Sequence, residues 1–171
     1  MPAGMTMQRE EARQGKCIFA VDPGPEKSAY VVWDREQVRG HNILDNYAMR
    51  DLISKYKKAC VIDVFAVEMI ASYGMAVGRE TFETCLWIGR FLECLKDDTA
   101  YTLCYRRDIK LHLCGSARAK DTNVWAALTD RFGQPGTKKS PGLLYGVKSH
   151  ERAALAVAVY AYDTIYGGVN G

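Results

Sequence analysis

A chain of 171 residues, 48% hydrophobic and 25% charged, is long enough to bury one substantial core and short for two domains. No apolar run approaches the roughly 20 residues that span a bilayer, which argues against an integral membrane protein, and the polar stretch from Met1 to Lys16 lacks the apolar core of a secretory signal. Net charge is only +3, yet ten Lys or Arg against four acids fall between Arg106 and Arg152, so the second half carries a basic stretch suited to phosphate, or simply to water.

The first expected element is a strand from Cys17 to Asp22, a short apolar run stopped by Pro23-Gly24-Pro25. Ser28 to Trp33 is a second strand, and a turn near Asp34 to Glu36 leads into a weaker third around Val38 to Ile43. Connections this short make the three antiparallel. Asn46 to Ala59 has the spacing of an amphipathic helix, with Leu52, Ile53 and Tyr56 on one side. Val61 to Glu68 is almost wholly apolar, the mark of a central strand covered on both faces. A glycine-bearing loop, Ser72 to Gly78, precedes a long helix from Arg79 to Leu95. Ala100 to Tyr105 is a fifth strand. Two short helices, Asp108 to Leu113 and Thr122 to Phe132, flank the break at Cys114-Gly115-Ser116. Gly133 to Gly146 is a long loop, and an Ala- and Val-rich helix runs from about Ser149 to Tyr166. This is an α/β order, a mixed five-stranded sheet with helices on both faces, as in the ribonuclease-H-like fold. Residues 17–166 are expected to form that domain, with 1–16 as a flexible leader and 167–171 as a tail.

Six cysteines, Cys17, Cys60, Cys85, Cys94, Cys104 and Cys114, include no Cys-x-x-Cys pair, which argues against a zinc knuckle or ribbon. Most lie in apolar segments, as reduced, buried thiols of a cytosolic protein do.

Asp22 ends the first strand just before a tight turn, where a carboxylate either caps the turn or projects into the crevice at the strand ends. Glu68 ends the apolar central strand, where a buried glutamate is costly unless it finds solvent, a partner or a metal. If the two strands are neighbours, their carboxylates converge, and a divalent cation keeps both ionised. The last helix opens with Lys148-Ser149-His150-Glu151. His150 or Glu151 would complete a hard-metal site there, although Ser149 and Glu151 also read as ordinary N-terminal helix residues. Lys55, Lys57 and Lys58 suit a solvated helix terminus, and Trp87 and Trp125 suit core or interface positions.

Phe19-Ala20-Val21-Asp22-Pro23-Gly24 followed by Ala29-Tyr30 resembles the opening of RuvC-type Holliday-junction resolvases, and Ala66-Val67-Glu68 resembles their second acidic strand. Ile109-Lys110-Leu111, continuing through Cys114-Gly115-Ser116-Ala117-Arg118-Ala119-Lys120 to Val124, is similar to their lysine-bearing segment. Ala154 to Val159 is similar to their last helix. The resemblance covers roughly residues 17–162 and has the look of a phage-encoded member, which would act in the host cytoplasm.

The resemblance implies a metal-dependent, structure-selective endodeoxyribonuclease that resolves four-way and other branched DNA as a C2 homodimer, with the Arg79 to Leu95 helix as the expected interface. Asp22 and Glu68 fall on its first two acidic ligands and His150 on the third. Lys110 and Lys120 fall on its basic residues, Lys120 offsetting charge on the scissile phosphate. Arg107 and Arg118 join them as DNA-binding candidates. The fourth acid is missing, because its position is Ala153. Glu151 is the favoured substitute, with Asp121 or a three-ligand site as alternatives. Two Mg²⁺ ions, or Mn²⁺ given the histidine, are the expected cofactors. Tyr73 is a candidate wedge at the junction, although Ala71 is nearer the position where resolvases carry an aromatic. A competing reading is a ribonuclease-H-fold module that binds branched nucleic acid without cutting it. A sugar-kinase or actin-type domain also opens on such a strand turn, but that architecture needs a second domain for which 171 residues leave no room.

Overall fold

The computed structural model describes residues 16–59 and 61–167. Most of the expected leader (1–15), Cys60 and residues 168–171 of the expected tail lie outside the described residues.

Five strands are present: β1 (Ile18–Asp22), β2 (Lys27–Trp33), β3 (Val38–Asp45), β4 (Val64–Met69) and β5 (Ala100–Tyr105). The helices are α1 (Asn46–Lys58), α2 (Arg79–Glu93), α3 (Arg106–Cys114), α4 (Asp121–Phe132) and α5 (His150–Tyr166). The sheet order is β3-β2-β1-β4-β5, with β1 to β3 antiparallel and β4 and β5 parallel to β1. This is the mixed α/β sheet that the order of elements predicts. The strand expected over Val61 to Glu68 starts later, at Val64, and β3 extends two residues further, to Asp45.

Period-two alternation divides β1 and β4 between two cores. Ile18, Ala20, Val64 and Ala66 face α5 together with α3 and α4, while Phe19, Val21, Phe65 and Val67 face α1 and α2. The α5 face is built from small residues. Ala20, Ala29 and Ala66 on the sheet meet Ala154, Ala158 and Ala161 on the helix, all buried, so α5 lies close across the strands. Asp163 of α5 ties down the outer helices, accepting from His112 of α3 at 2.8 Å and Arg131 of α4 at 2.5 and 2.7 Å. No described helix is long and apolar enough to cross a membrane.

Candidate active site

β1 and β4 run parallel in a register that pairs Val21 with Val67, which brings Asp22 abreast of Glu68 at the strand ends. Both carry the parity of Ala20 and Ala66, so both project to the α5 face, where the first turn of α5 stands. His150 Nδ1 lies 2.9 Å from Asp22 Oδ2. Asp22, Glu68 and His150 thus line one cleft of about 1070 Å³.

The turn beyond Asp22 is pinned from behind. A Cβ at Gly24 would stand 2.4 Å from the Lys27 carbonyl oxygen, so the turn closes only on glycine. Buried Asn46 donates to the Gly24 carbonyl at 2.9 Å and accepts from the Ser28 hydroxyl at 2.6 Å. Asn46 is not among the site residues expected from sequence; its signal is a polar residue at the first position of a helix that follows a strand without a break.

Burial raises the pKa of the Asp22 carboxyl, against the pull of His150. Burial together with the neighbouring Asp22 charge pushes Glu68 up to about 7. Two carboxylates that resist ionisation side by side make a donor set that a hard dication fits, since it supplies the charge that burial withholds. Among the described residues no three His, Cys, Asp or Glu side chains are grouped closely enough to hold an ion as they stand. A cation of the protein's own sits there instead. Arg106 Nη1 is 3.2 Å from Glu68 Oε1, and Arg106 Nη2 is 2.8 and 2.9 Å from the two oxygens of Asp121.

Register explains Arg106. β5 pairs Glu68 with Cys104 and Met69 with Tyr105, so the next residue emerges beside the end of β4. Arg106 opens α3 and Asp121 opens α4. A cation at a helix N-terminus opposes the helix dipole, while an aspartate there suits it. The misplaced cation is the sequence signal of a local charge partner within the basic stretch. Asp121, held below the usual carboxylate range by its bond to Arg106, reaches the cleft as one of the three alternatives allowed.

The structure does not bring Glu151 to the cleft. It is 5% exposed and turns inward. One carboxylate oxygen lies 3.1 Å from His41 Nδ1 and the other accepts from the Lys148 N–H at 3.0 Å, fastening the first turn of α5 to β3. Consecutive helix residues point about 100° apart, so His150 and Glu151 cannot serve the same cleft. Ser149, at the N-cap, has φ 51° and ψ −133°, a positive-φ backbone that L residues rarely adopt and that sets the entry angle of α5. Ala153 does line the cleft, so the absent acid leaves an apolar patch of wall.

Of the basic candidates, Lys110 lines the cleft, its Nζ 3.5 Å from Asp121 Oδ1. Lys120 does not. It caps α4, is exposed, and donates its backbone N–H to Asn123 Oδ1 at 2.9 Å. Arg107 and Arg118 are exposed outside the cleft, and Tyr73 is exposed on the β4–α2 loop with φ 48°. Arg152 reaches the rim over Trp125, its guanidinium carbon 4.1 Å from the ring centroid.

No protein-family model matches the sequence, and no curated protein matches it. Solved structures do. The structure of Thermus thermophilus RuvC superposes with a TM-score of 0.67 over 89% of this chain and 97% of that one, at 15% identity. The fold is that of RuvC. A second match, T. thermophilus RuvC in complex with Holliday junction substrate, gives the same TM-score and identity over 89% of this chain and 96% of that one. At this identity the likeness establishes the ribonuclease-H-like architecture.

Proposed function

We propose that this chain is a divalent-metal-dependent endonuclease that resolves four-way junctions and other branched DNA by phosphodiester hydrolysis. The observation that carries the reading is the pairing of Asp22 with Glu68 on adjacent parallel strand ends, inside one cleft and beside His150. Support comes from the fold, shared with a protein solved on a Holliday junction.

Asp22, Glu68 and His150 are the residues that would hold two Mg²⁺ or Mn²⁺ ions. Divalent cations supply Lewis-acid polarisation of the phosphate and ease deprotonation of the attacking water. Lys110, half-buried in the wall, meets the phosphate from the α3 side. Lys120, Arg107 and Arg118 are exposed and hold flanking phosphates, which position the duplex without reading its sequence. Tyr73, 55% exposed, offers a ring on which an unpaired base can stack.

Cutting a junction symmetrically takes two active sites, and a C2 homodimer provides them. On α2, Phe82 and Leu86 are 64% and 57% exposed, one helical turn apart on the face away from the core. Tyr101, Leu103 and Tyr105 of edge strand β5 are exposed on the sheet face that α2 partly covers. Together they offer the apolar area a dimer contact needs. The reading places the enzyme in the cytoplasm, that of the host if a phage encodes it.

The deciding experiment incubates the protein with labelled four-way junction and linear duplex, with and without Mg²⁺ or Mn²⁺. Metal-dependent junction cutting that is lost in Asp22→Asn is the expected result. The second reading, a module that binds without cutting, draws on Ala153 in the cleft wall and on Arg106 already neutralising Glu68. Tight junction binding with no cleavage under either metal would establish it instead.

A further inference from the structure

We propose that Arg106 is an internal counter-ion that competes with the divalent cation for Glu68, and that Asp121 is the carboxylate onto which it withdraws when Glu68 is taken up. The inference rests on the metal-site reading above and adds a threshold to it.

The geometry is a shared fork. One guanidinium nitrogen faces Glu68 at 3.2 Å, and the other holds both oxygens of Asp121 at 2.8 and 2.9 Å. The shorter, two-oxygen contact goes to Asp121, so a small rotation about the Arg106 stem releases Glu68 while the main bond is kept. The two partners differ in exposure in the sense this exchange requires. The Glu68 side chain is 14% exposed and the Asp121 side chain 72%. A nearly buried carboxylate needs a cation whenever it is ionised, whereas an exposed one can be shared with water. Lys110, 3.5 Å from Asp121, helps to hold that carboxylate at the cleft mouth.

Without Arg106, Asp22 and Glu68 would stand side by side with His150 as the nearest relief in contact with either. With it, Glu68 has a cation in contact, and a dication gains Glu68 only by displacing a bound guanidinium. Once displaced, Arg106 has to be neutralised elsewhere or it repels the incoming charge. Asp121 does this. The pair follows from two helix N-termini, α3 and α4, that deliver opposite charges to one point.

The test is calorimetric titration of the full chain with MnCl₂ at pH 8, without DNA, on wild type, Arg106→Ala, Arg106→Lys, Asp121→Asn and the double variant, each checked for native melting. Arg106→Ala should bind Mn²⁺ roughly two- to fivefold more tightly, the scale of one partly exposed ion pair removed from competition. Arg106→Lys, which keeps the charge without the fork, should lie between. Asp121→Asn should weaken binding, but should have little effect in the Arg106→Ala background, where no guanidinium needs a second partner. Unchanged or weaker binding in Arg106→Ala, where the wild-type protein binds Mn²⁺ and cuts junctions, overturns this inference alone. An equal loss from Asp121→Asn in both backgrounds makes Asp121 a ligand and likewise overturns it. Wild-type protein that binds no Mn²⁺ overturns this inference and the metal-site reading together.

Discussion

His150 Nδ1 and Asp22 Oδ2 lie 2.9 Å apart although 128 residues separate them in the chain. The contact joins the start of the last helix to the end of the first strand. It is fixed by three local devices: the glycine turn after Asp22, the Asn46 bonds behind that turn, and the inward anchor of Glu151. On the proposed reading His150 would share an ion with Asp22 and bring nitrogen to a site otherwise made of carboxylate oxygen.

Nitrogen shifts metal preference. Imidazole suits Mn²⁺ better than Mg²⁺, whereas an all-oxygen site serves Mg²⁺. Junction cutting should be faster in Mn²⁺ than in Mg²⁺, and His150→Asp should narrow or reverse that ratio. Cleavage rates measured in each metal check this, and a ratio unaltered by the substitution removes His150 from the ligand set.

Glu68 gives the protein a pH signature. Its folded-state value of about 7 stands above the ordinary 4.5. Between those values the folded state binds more protons than the unfolded one, so stability falls as pH rises from about 4.5 to about 7. Metal affinity moves the opposite way, rising through the same region toward pH 8, because the ligand must be ionised. Thermal melts across this range should slope downward in wild type and flatten in Glu68→Gln, and saturating Mn²⁺ should offset the loss. A wild-type profile as flat as that of Glu68→Gln would contradict the assignment.

Glu151 separates a structural carboxylate from a ligand. Glu151→Ala leaves the Lys148 N–H without its acceptor and removes the carboxylate packed against His41, which should cost about 1–3 kcal/mol of stability. Glu151→Gln keeps an acceptor for the Lys148 N–H, so it should lose less and bind Mn²⁺ within about twofold of wild type. Denaturant unfolding and calorimetry measure the two effects. A large loss of metal affinity in a well-folded Glu151→Gln would restore the ligand role expected from sequence.

Tyr73 and Phe82 test the two outward surfaces. Tyr73→Ala should weaken junction cutting roughly tenfold, the scale of one lost base stack, with metal binding intact; undiminished cutting would discard the wedge. Phe82→Asp puts a charge into the expected dimer contact and should convert a dimer to a folded monomer in sedimentation. A dimer that survives the change points to a different interface.

Much of this site could be read locally. β1 and β4 are short apolar runs that each end in an acid, and strand burial follows a period of two that any reader of the chain can count. Asp22, Glu68, the glycine turn and the order of strands and helices were therefore determined by the sequence itself. Which neighbour each acid acquires is a non-local matter. Arg106 reaches Glu68 only because β5 joins β4 in a register that ends one residue earlier, and no spacing along the chain reveals a register between strands. Tertiary structure also decided between His150 and Glu151. A helix turns about 100° per residue, so the angle at which α5 lies on the sheet sends one side chain to the cleft and the next toward His41. That angle is set by small residues meeting across the α5–sheet contact, Ala20, Ala29 and Ala66 against Ala154, Ala158 and Ala161, which belong to four different elements and meet only when the chain has folded.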